Sequence, residues 1–335
     1  MSLMIAMLMM IIWVFTLLIA IFGIINLWNT VRFQTYRTRL ASPIPPLPVI
    51  KNFAIKNPYA APGYYYKAQL HLHTSNSKDV HPKLPVAETV RRYQAAGYQV
   101  LVITDHDTTT RYVPPDFPDL LVLAGNEKTI PQPFWPLGKH LVQIEYFHSQ
   151  NRLGMPAHPN WQGNLGTGCW YLGDLLKLPD FHLMEIYNHH SDYRDDLLLW
   201  NQLLRHFGPE HPVWGVAVDD SDNAELLDRG WIMVKAEHLT EDTFIKALRQ
   251  GSFYATTGPV LEFQVNANKL IQVSTPVAGT IRFLNHQGKV MGQAEGTLGE
   301  YRPRGDEGFI RVELEVAGRF AWSQPFFIIP IHEHL

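Results

Sequence analysis

The stretch Tyr64-Tyr65-Tyr66-Lys67-Ala68-Gln69-Leu70-His71-Leu72-His73-Thr74 decides how this chain is read. A strand-like run ends in His-x-His. Residues two apart in a strand share a face, so His71 and His73 point the same way and can grip one ion. Residues 100–103, Val-Leu-Val-Ile, end in the same manner at Thr104-Asp105-His106. Spacing alone is weak evidence, because ordinary buried histidines also fall two apart.

The pattern recurs along the chain. Residues 120–124 lead into Gly125-Asn126-Glu127, and 141–146 follow His140. His158 lies in Pro156-Ala157-His158-Pro159, where the prolines fix the backbone. Residues 181–187 lead to Asn188-His189-His190, and 213–218 to Asp219-Asp220-Ser221-Asp222. Helical patterns intervene at 85–96, closed by Gly97, and at 192–207, stopped by Gly208-Pro209. A final helix is expected over 240–250, with Thr240 as N-cap and Gly251 as stop. Strands alternating with helices predict an α/β class, barrel-like. In a parallel barrel the strand ends share one face, so these imidazoles and carboxylates would converge. Such donors suit zinc, manganese or iron. Two ions about 4 Å apart can hold a hydroxide nucleophile and stabilise charge developing on a phosphoryl or acyl oxygen.

The strings Leu70-His71-Leu72-His73-Thr74, Ile103-Thr104-Asp105-His106-Asp107, Gly125-Asn126-Glu127, Ala157-His158-Pro159 and Asp220-Ser221-Asp222, in this order, resemble the PHP (polymerase and histidinol phosphatase) superfamily of metal-dependent phosphoesterases. The resemblance covers residues 67–259. Glu185-Ile186-Tyr187-Asn188 and Tyr254-Ala255-Thr256-Thr257-Gly258-Pro259 look like its carbaryl-hydrolase-like branch. It implies a distorted (β/α)7 barrel holding two or three divalent ions. By that likeness His71, His73, Glu127 and Asp220 hold the first ion. Glu127 bridges to a second, which His158 and His140 also hold. His106 reaches a third with Asp79 and Asp222. Many members carry histidine where Asp222 stands, and Ser-Asp-Gly where this chain has Ser77-Lys78-Asp79. The substitutions make a third site more oxygen-rich, favouring manganese or magnesium, or leave it empty.

Other readings stand beside these. Asp219 competes with Asp220 through a one-residue slip. Asp105, expected with His106 to manage protons in catalysis, could instead cap a helix. Glu185 and Asn188 either line the pocket or make buried hydrogen bonds. His189 and His190 read as surface. Arg111, Lys128 and Lys139 are candidates to meet an anionic substrate, against an ordinary solvated role. Phe134, Trp135, Pro136, Trp161 and Trp170 could wall the pocket or pack in a core.

The 335 residues suffice for one large domain and a small one, and 46% hydrophobic content supports a sizeable core. A net charge of −3 without a basic stripe gives no dedicated nucleic-acid surface. The single cysteine, Cys169, excludes an intrachain disulfide and a thiolate zinc site, and reads as a small buried apolar residue. Residues 3–28 are uncharged and apolar, matching a bilayer span of roughly 20 residues or slightly more. No basic residue precedes them and no cleavage motif follows, so the reading is an uncleaved single-pass anchor rather than a signal peptide. Arg32, Arg37 and Arg39 follow the span, which places the catalytic domain in the cytoplasm by the positive-inside rule. The expected organisation is an anchor at 1–30, a proline-rich linker at 31–63, a metallohydrolase barrel at 64–258 and a small all-β module at 259–335, where short alternating strands follow without helices.

The expectation is a membrane-anchored, metal-dependent hydrolase, foremost a phosphoesterase using a metal-bound hydroxide on an anionic small molecule. The alternatives are ester, carbamate or amide cleavage at the same centre, or a non-catalytic membrane-tethered binding module.

Overall fold

The computed structural model describes residues 3–79, 83–132, 135–146, 152–221 and 227–331. Asp222 and Phe134 lie outside them, as do the side chains of Trp135 and Pro136.

The chain opens with a long helix α1 (Leu3–Leu40), then a short strand β1 (Phe53–Lys56) and the central β2 (Tyr64–Leu72). Helix α2 (Val86–Ala95) leads to β3 (Val100–Ile103), β4 (Leu121–Gln132), β5 (Trp135–Glu145) and β6 (Arg152–Pro156). Single turns α3 (Gly163–Gly166) and α4 (Leu172–Leu175) precede β7 (Leu183–Tyr187), α5 (Tyr193–Phe207) and β8 (Trp214–Ala217). Strand β9 (Trp231–Ala236), helix α6 (Glu241–Gln250) and β10 (Phe253–Thr256) follow. Six strands follow: β11 (Glu262–Val265), β12 (Ile271–Leu284), β13 (Val290–Tyr301), β14 (Phe309–Val316), β15 (Arg319–Trp322) and β16 (Phe326–Pro330).

The helix signals in the sequence act as expected. Asp192 caps α5, its carboxylate accepting from Arg194 N–H, and α5 buries Leu199, Trp200, Leu203 and Leu204 on one stripe. Thr240 caps α6, and Gly251 ends it in the left-handed region at φ +70°.

The architecture is mixed α/β, but the barrel is not closed by continuous ladders. Strand β2 pairs parallel with β3 and antiparallel with β9, and β3 pairs parallel with β4. The alternation then fails. Strands β4, β5 and β6 form an antiparallel meander, with no helix between them among the described residues. Strands β7 and β8 make a separate parallel pair. Single bridges mark both seams, Gly154 with Phe181 and Leu72 with Ser221. The second seam holds the site together, since Asp220 N–H donates to His71 O at 3.1 Å and His73 N–H to Ser221 O at 3.2 Å.

Residues 31–40 continue α1 and pack on the body, burying Phe33 and Leu40. Strand β1 pairs with β16, and Ile50 N–H donates to Gly305 O, so much of the 31–63 segment lies against the protein. The C-terminal strands also share the main sheet, because β15 pairs with β10. Phe309, Trp322 and Phe327 belong to the same core as β2 and α5.

Candidate metal centre

Five imidazoles and two carboxylates meet at the C-terminal ends of β2, β3, β6 and β8 and along the β4–β5 hairpin. His71 and His73 flank Leu72 at the end of β2; His71 is fully buried and His73 nearly so. Glu127 sits inside β4 rather than beyond it: Glu127 N–H donates to Asp105 O and its carbonyl accepts from Asp107 N–H, which carries the β3–β4 pairing past Ile103. His140 comes from β5, close across the hairpin, where Thr129 opposes it. His158 follows β6, and Asp220 follows β8.

Glu127 organises the centre. Its Oε2 lies 3.4 Å from His71 Nε2, 3.4 Å from His73 Nε2 and 3.0 Å from His106 Nδ1. Its Oε1 lies 3.1 Å from His140 Nδ1 and 3.0 Å from His158 Nε2. Asp220 Oδ1 faces the same space, 3.2 Å from His71 Nε2 and 3.0 Å from His73 Nε2. Two groups result, His71–His73–Glu127–Asp220 and His106–Glu127–His140, each with donor atoms within 4.8 Å of one another. They share Glu127.

The donor set fits divalent cations. His71 Nε2 and Glu127 Oε2 are buried and lack a hydrogen-bond partner, although they face each other. Buried polar atoms are normally satisfied. A cation between His71, His73, Glu127 and Asp220 would satisfy these, and two carboxylates would neutralise its charge. The electrostatics are tuned the same way. Burial opposes charging of His71, but Asp220, Glu127 and Glu185 together hold its pKa well above the usual value. His106, also opposed by burial, is raised to about 9, chiefly by Glu127. Burial would raise Glu127 and Asp220, yet the surrounding histidines hold both well below the carboxylate range. His71 and His106 thus favour their protonated forms where a metal would compete for the same nitrogens.

A supporting layer fixes these side chains. Glu185 Oε1 is 2.7 Å from His71 Nδ1, and Glu185 Oε2 accepts from His158 N–H at 2.5 Å. Asn188 Nδ2 donates to Glu185 Oε2 at 2.8 Å and to Asp220 Oδ2 at 2.9 Å. A ligating histidine oriented by a carboxylate is a recurrent arrangement in metal sites. Both His158 (φ +30°) and Asp220 (φ +48°) adopt left-handed backbone, at a cost of roughly 1–3 kcal/mol each.

Several expected roles resolve differently. Asp219 is the discarded slip: it is fully buried and accepts from the N–H groups of Asp228, Arg229 and Gly230. Burial raises its pKa to about 6. Asp105 spends its oxygens on Thr74, Ser77 and Thr110, with Thr74 Oγ1 at 2.8 Å and Ser77 Oγ at 3.2 Å, so it braces the β2 and β3 ends behind the cleft. Asp79 reaches the cleft, but both its oxygens hold Lys83 Nζ at 2.5 Å. His106 therefore joins Glu127 and His140, and a third ion has no grouping among the described residues.

The cleft over these groups has a volume of about 300 Å³. Of the cations expected to meet substrate, Arg111 pairs with Glu145 and Lys139 is buried beside Asp174 at 3.4 Å. Exposed Lys78 lines the cleft instead. Trp161 forms a wall, its ring 4.8 Å from His158 and 5.3 Å from His140. His190, expected at the surface, lines the cleft with Nε2 3.8 Å from Asp220 Oδ2. Its neighbour His189 turns away to Asp219 O. Only the Asn188 turn could have signalled this split, through its Asx-type bond from His190 N–H to Asn188 Oδ1.

Among solved structures, the chain is similar to a two-domain protein containing a predicted PHP-like metal-dependent phosphoesterase from Bacteroides vulgatus. The two share 13% identity and a TM-score of 0.44, over 83% of this chain and 94% of that one. No family model and no curated protein matches the chain.

Proposed function

We propose that this protein is a membrane-anchored, metal-dependent hydrolase acting on phosphoesters. The observation that carries the reading is the split of Glu127, with Oε2 toward His71, His73 and His106 and Oε1 toward His140 and His158. A carboxylate aimed in two directions between imidazole sets suits a bridge between two cations. Divalent ions held there would supply Lewis acidity and make water a nucleophile near neutral pH.

The chain's own residues do the rest. His71, His73, Asp220 and Glu127 would hold one cation; His140, His158 and Glu127 would hold the second, with His106 beside them. His106, partly exposed at the cleft, would exchange a proton with the leaving alcohol if the second cation is held by His140, His158 and Glu127 alone. Lys78 is placed to meet a phosphoryl oxygen, and its charge favours an anionic ester over a neutral one. Trp161 covers the His140–His158 side and limits water there.

The anchor reading is supported by α1 itself. An 18-residue stretch of α1 has a mean hydropathy of 2.9 and none of it is buried. The same helix continues without a break to Leu40, and its last turns are built into the core through Phe33, Tyr36 and Leu40. A removable signal sequence has no need of that continuity.

The test uses the full chain in detergent, because removing residues 1–40 would strip those side chains from the core. With added Mn²⁺ it should hydrolyse an aryl phosphate, and His73→Ala should lose at least 10²-fold. Hydrolysis of aryl esters but not aryl phosphates would overturn the phosphoesterase reading. Absence of bound metal after soaking would overturn the enzymatic one.

A further inference from the structure

The membrane end of α1 and the wall of the metal cleft are a single packed unit. The apolar run of α1 ends at exposed Trp28. Arg32 lies 5.4 Å over the Trp28 ring and 4.1 Å over Tyr171, an aromatic and basic pair of the kind that sits at a bilayer interface. Asn29, the very next residue after Trp28, is buried, and its Nδ2 donates to Leu165 O at 2.7 Å. Leu165 belongs to turn α3. Its neighbour Asn164 donates to Gly138 O at 2.8 Å and lies 3.4 Å from His140 Nε2. From the helix residue at the interface to a metal-centre histidine there is one hydrogen bond, one peptide unit and one contact.

That junction is close-packed. A Cβ on Gly163 would lie 1.8 Å from the Trp161 ring, and one on Gly166, already at φ +79°, would lie 2.5 Å from Asn29 Cβ. The turn is wedged between the cleft wall and the helix, and only glycine fits at either face. The proline-rich segment comes later, from residue 41 onward, so no spacer separates the bilayer end of α1 from the cleft.

We infer that the metal centre acts on the phosphoryl headgroup of a lipid in the bilayer that α1 enters. The inference rests on the phosphoesterase reading above and names its substrate class. With a Cα step of 3.8 Å, the centre sits on the order of 10 Å from Asn29, which would put it near the headgroups if Trp28 marks the interface. A cleft of about 300 Å³ admits a phosphoryl headgroup but not acyl chains, so the lipid stays in its leaflet. Lys78 at the cleft suits the headgroup's negative charge. Hydrolysis adds water across a P–O ester bond. The water oxygen joins phosphorus, the P–O bond to the alcohol breaks, one water proton goes to the departing alcohol, and the other stays on the inorganic phosphate from a monoester or ionises from the monoester product of a diester.

The full chain, loaded with Mn²⁺, is reconstituted into vesicles containing phosphatidic acid and phosphatidylglycerol, and cleavage is followed by ³¹P NMR. Soluble short-chain forms of both lipids and an aryl phosphate are assayed in parallel. The expected result is cleavage of long-chain lipid in the protein's own vesicles, with at least tenfold less of the lipid in added protein-free vesicles cleaved, and cleavage of the soluble esters by the same protein-bearing vesicles. Soluble esters cleaved while long-chain lipid is spared would overturn this inference and leave the phosphoesterase reading standing. Equal cleavage in both vesicle populations would also overturn it. No cleavage of any phosphoester would overturn both. A second readout needs no turnover. A nitroxide on Gln162→Cys, an exposed position beside Trp161, should collide with nickel-chelating lipid headgroups; native Cys169 is buried and does not compete for label. Collision only with a soluble nickel complex would place the cleft away from the bilayer and overturn the inference.

Discussion

Glu185 Oε1 lies 2.7 Å from His71 Nδ1, which turns His71 Nε2 toward Glu127 and Asp220. Both side chains are fully buried. The carboxylate fixes the ring angle of this enclosed histidine. Glu185→Gln keeps the volume and one acceptor oxygen but loses the charge. Metal affinity of that variant should fall by about 10–100-fold, read by competitive titration with a chromophoric chelator. An unchanged affinity would show that His71 is oriented by packing alone.

Glu127 serves both donor groups, whereas Asp79 is tied to Lys83. Elemental analysis should therefore separate them. Glu127→Gln should reduce bound metal to at most half the wild-type content. Asp79→Asn should leave the content unchanged. The reverse pattern would move the centre toward Asp79 and His106.

Protonation and metal loading compete at this site. His106 in the unloaded protein is raised to about 9, and His71 and His158 are raised as well. An unfolded histidine titrates at about 6.5. The stability these groups contribute to the metal-stripped protein is thus fully present below that value and is lost as pH climbs through about 9. Glu127 and Asp220 are depressed, so their contribution holds above about 4 and fades as pH falls further. The stripped protein should melt at falling temperature from pH 6.5 to 9.5. Metal affinity should rise over the same range, with proton release on binding measured in buffers of different ionisation enthalpy. A melting temperature that rises with pH in the stripped protein would contradict the charge pattern.

The sequence makes the buried cluster legible where a member ends a strand. His71, His73, His158 and Asp220 all follow apolar runs, and the helices over 192–207 and 240–250 announce themselves through Asp192, Thr240 and Gly251. What strand periodicity cannot show is a change of strand direction. The expected strand–helix alternation gives way to the β4–β5–β6 meander because no helical pattern separates those strands, and Glu127 and His140 lie within its hairpin. Adjacent like residues are equally opaque. Asp219 and Asp220 differ only once backbone is known: φ of +48° turns Asp220 into the centre, while Asp219 accepts from the following loop. His189 and His190 part in the same way, at a turn made by Asn188. The packing of α1 on α3 was hidden too, because Asn29 carries no periodic signal and its partner is a backbone carbonyl far along the chain.

Gly163 converts that hidden packing into a measurable quantity. Its missing Cβ leaves room for the Trp161 ring, which covers His140 and His158. Gly163→Ala must push the ring outward or shift the turn toward Asn29. Overpacking of this kind costs about 1–3 kcal/mol, seen as a lowered melting temperature. Displacement of a cleft wall by about 1 Å can cost on the order of 10²-fold in rate. The double variant Gly163→Ala, Trp161→Ala removes the clash and should recover most of the stability while leaving the rate low, because the wall itself is gone. If the single variant melts like the wild type, the turn has slack and the close approach of Trp161 to Gly163 does not shape the cleft.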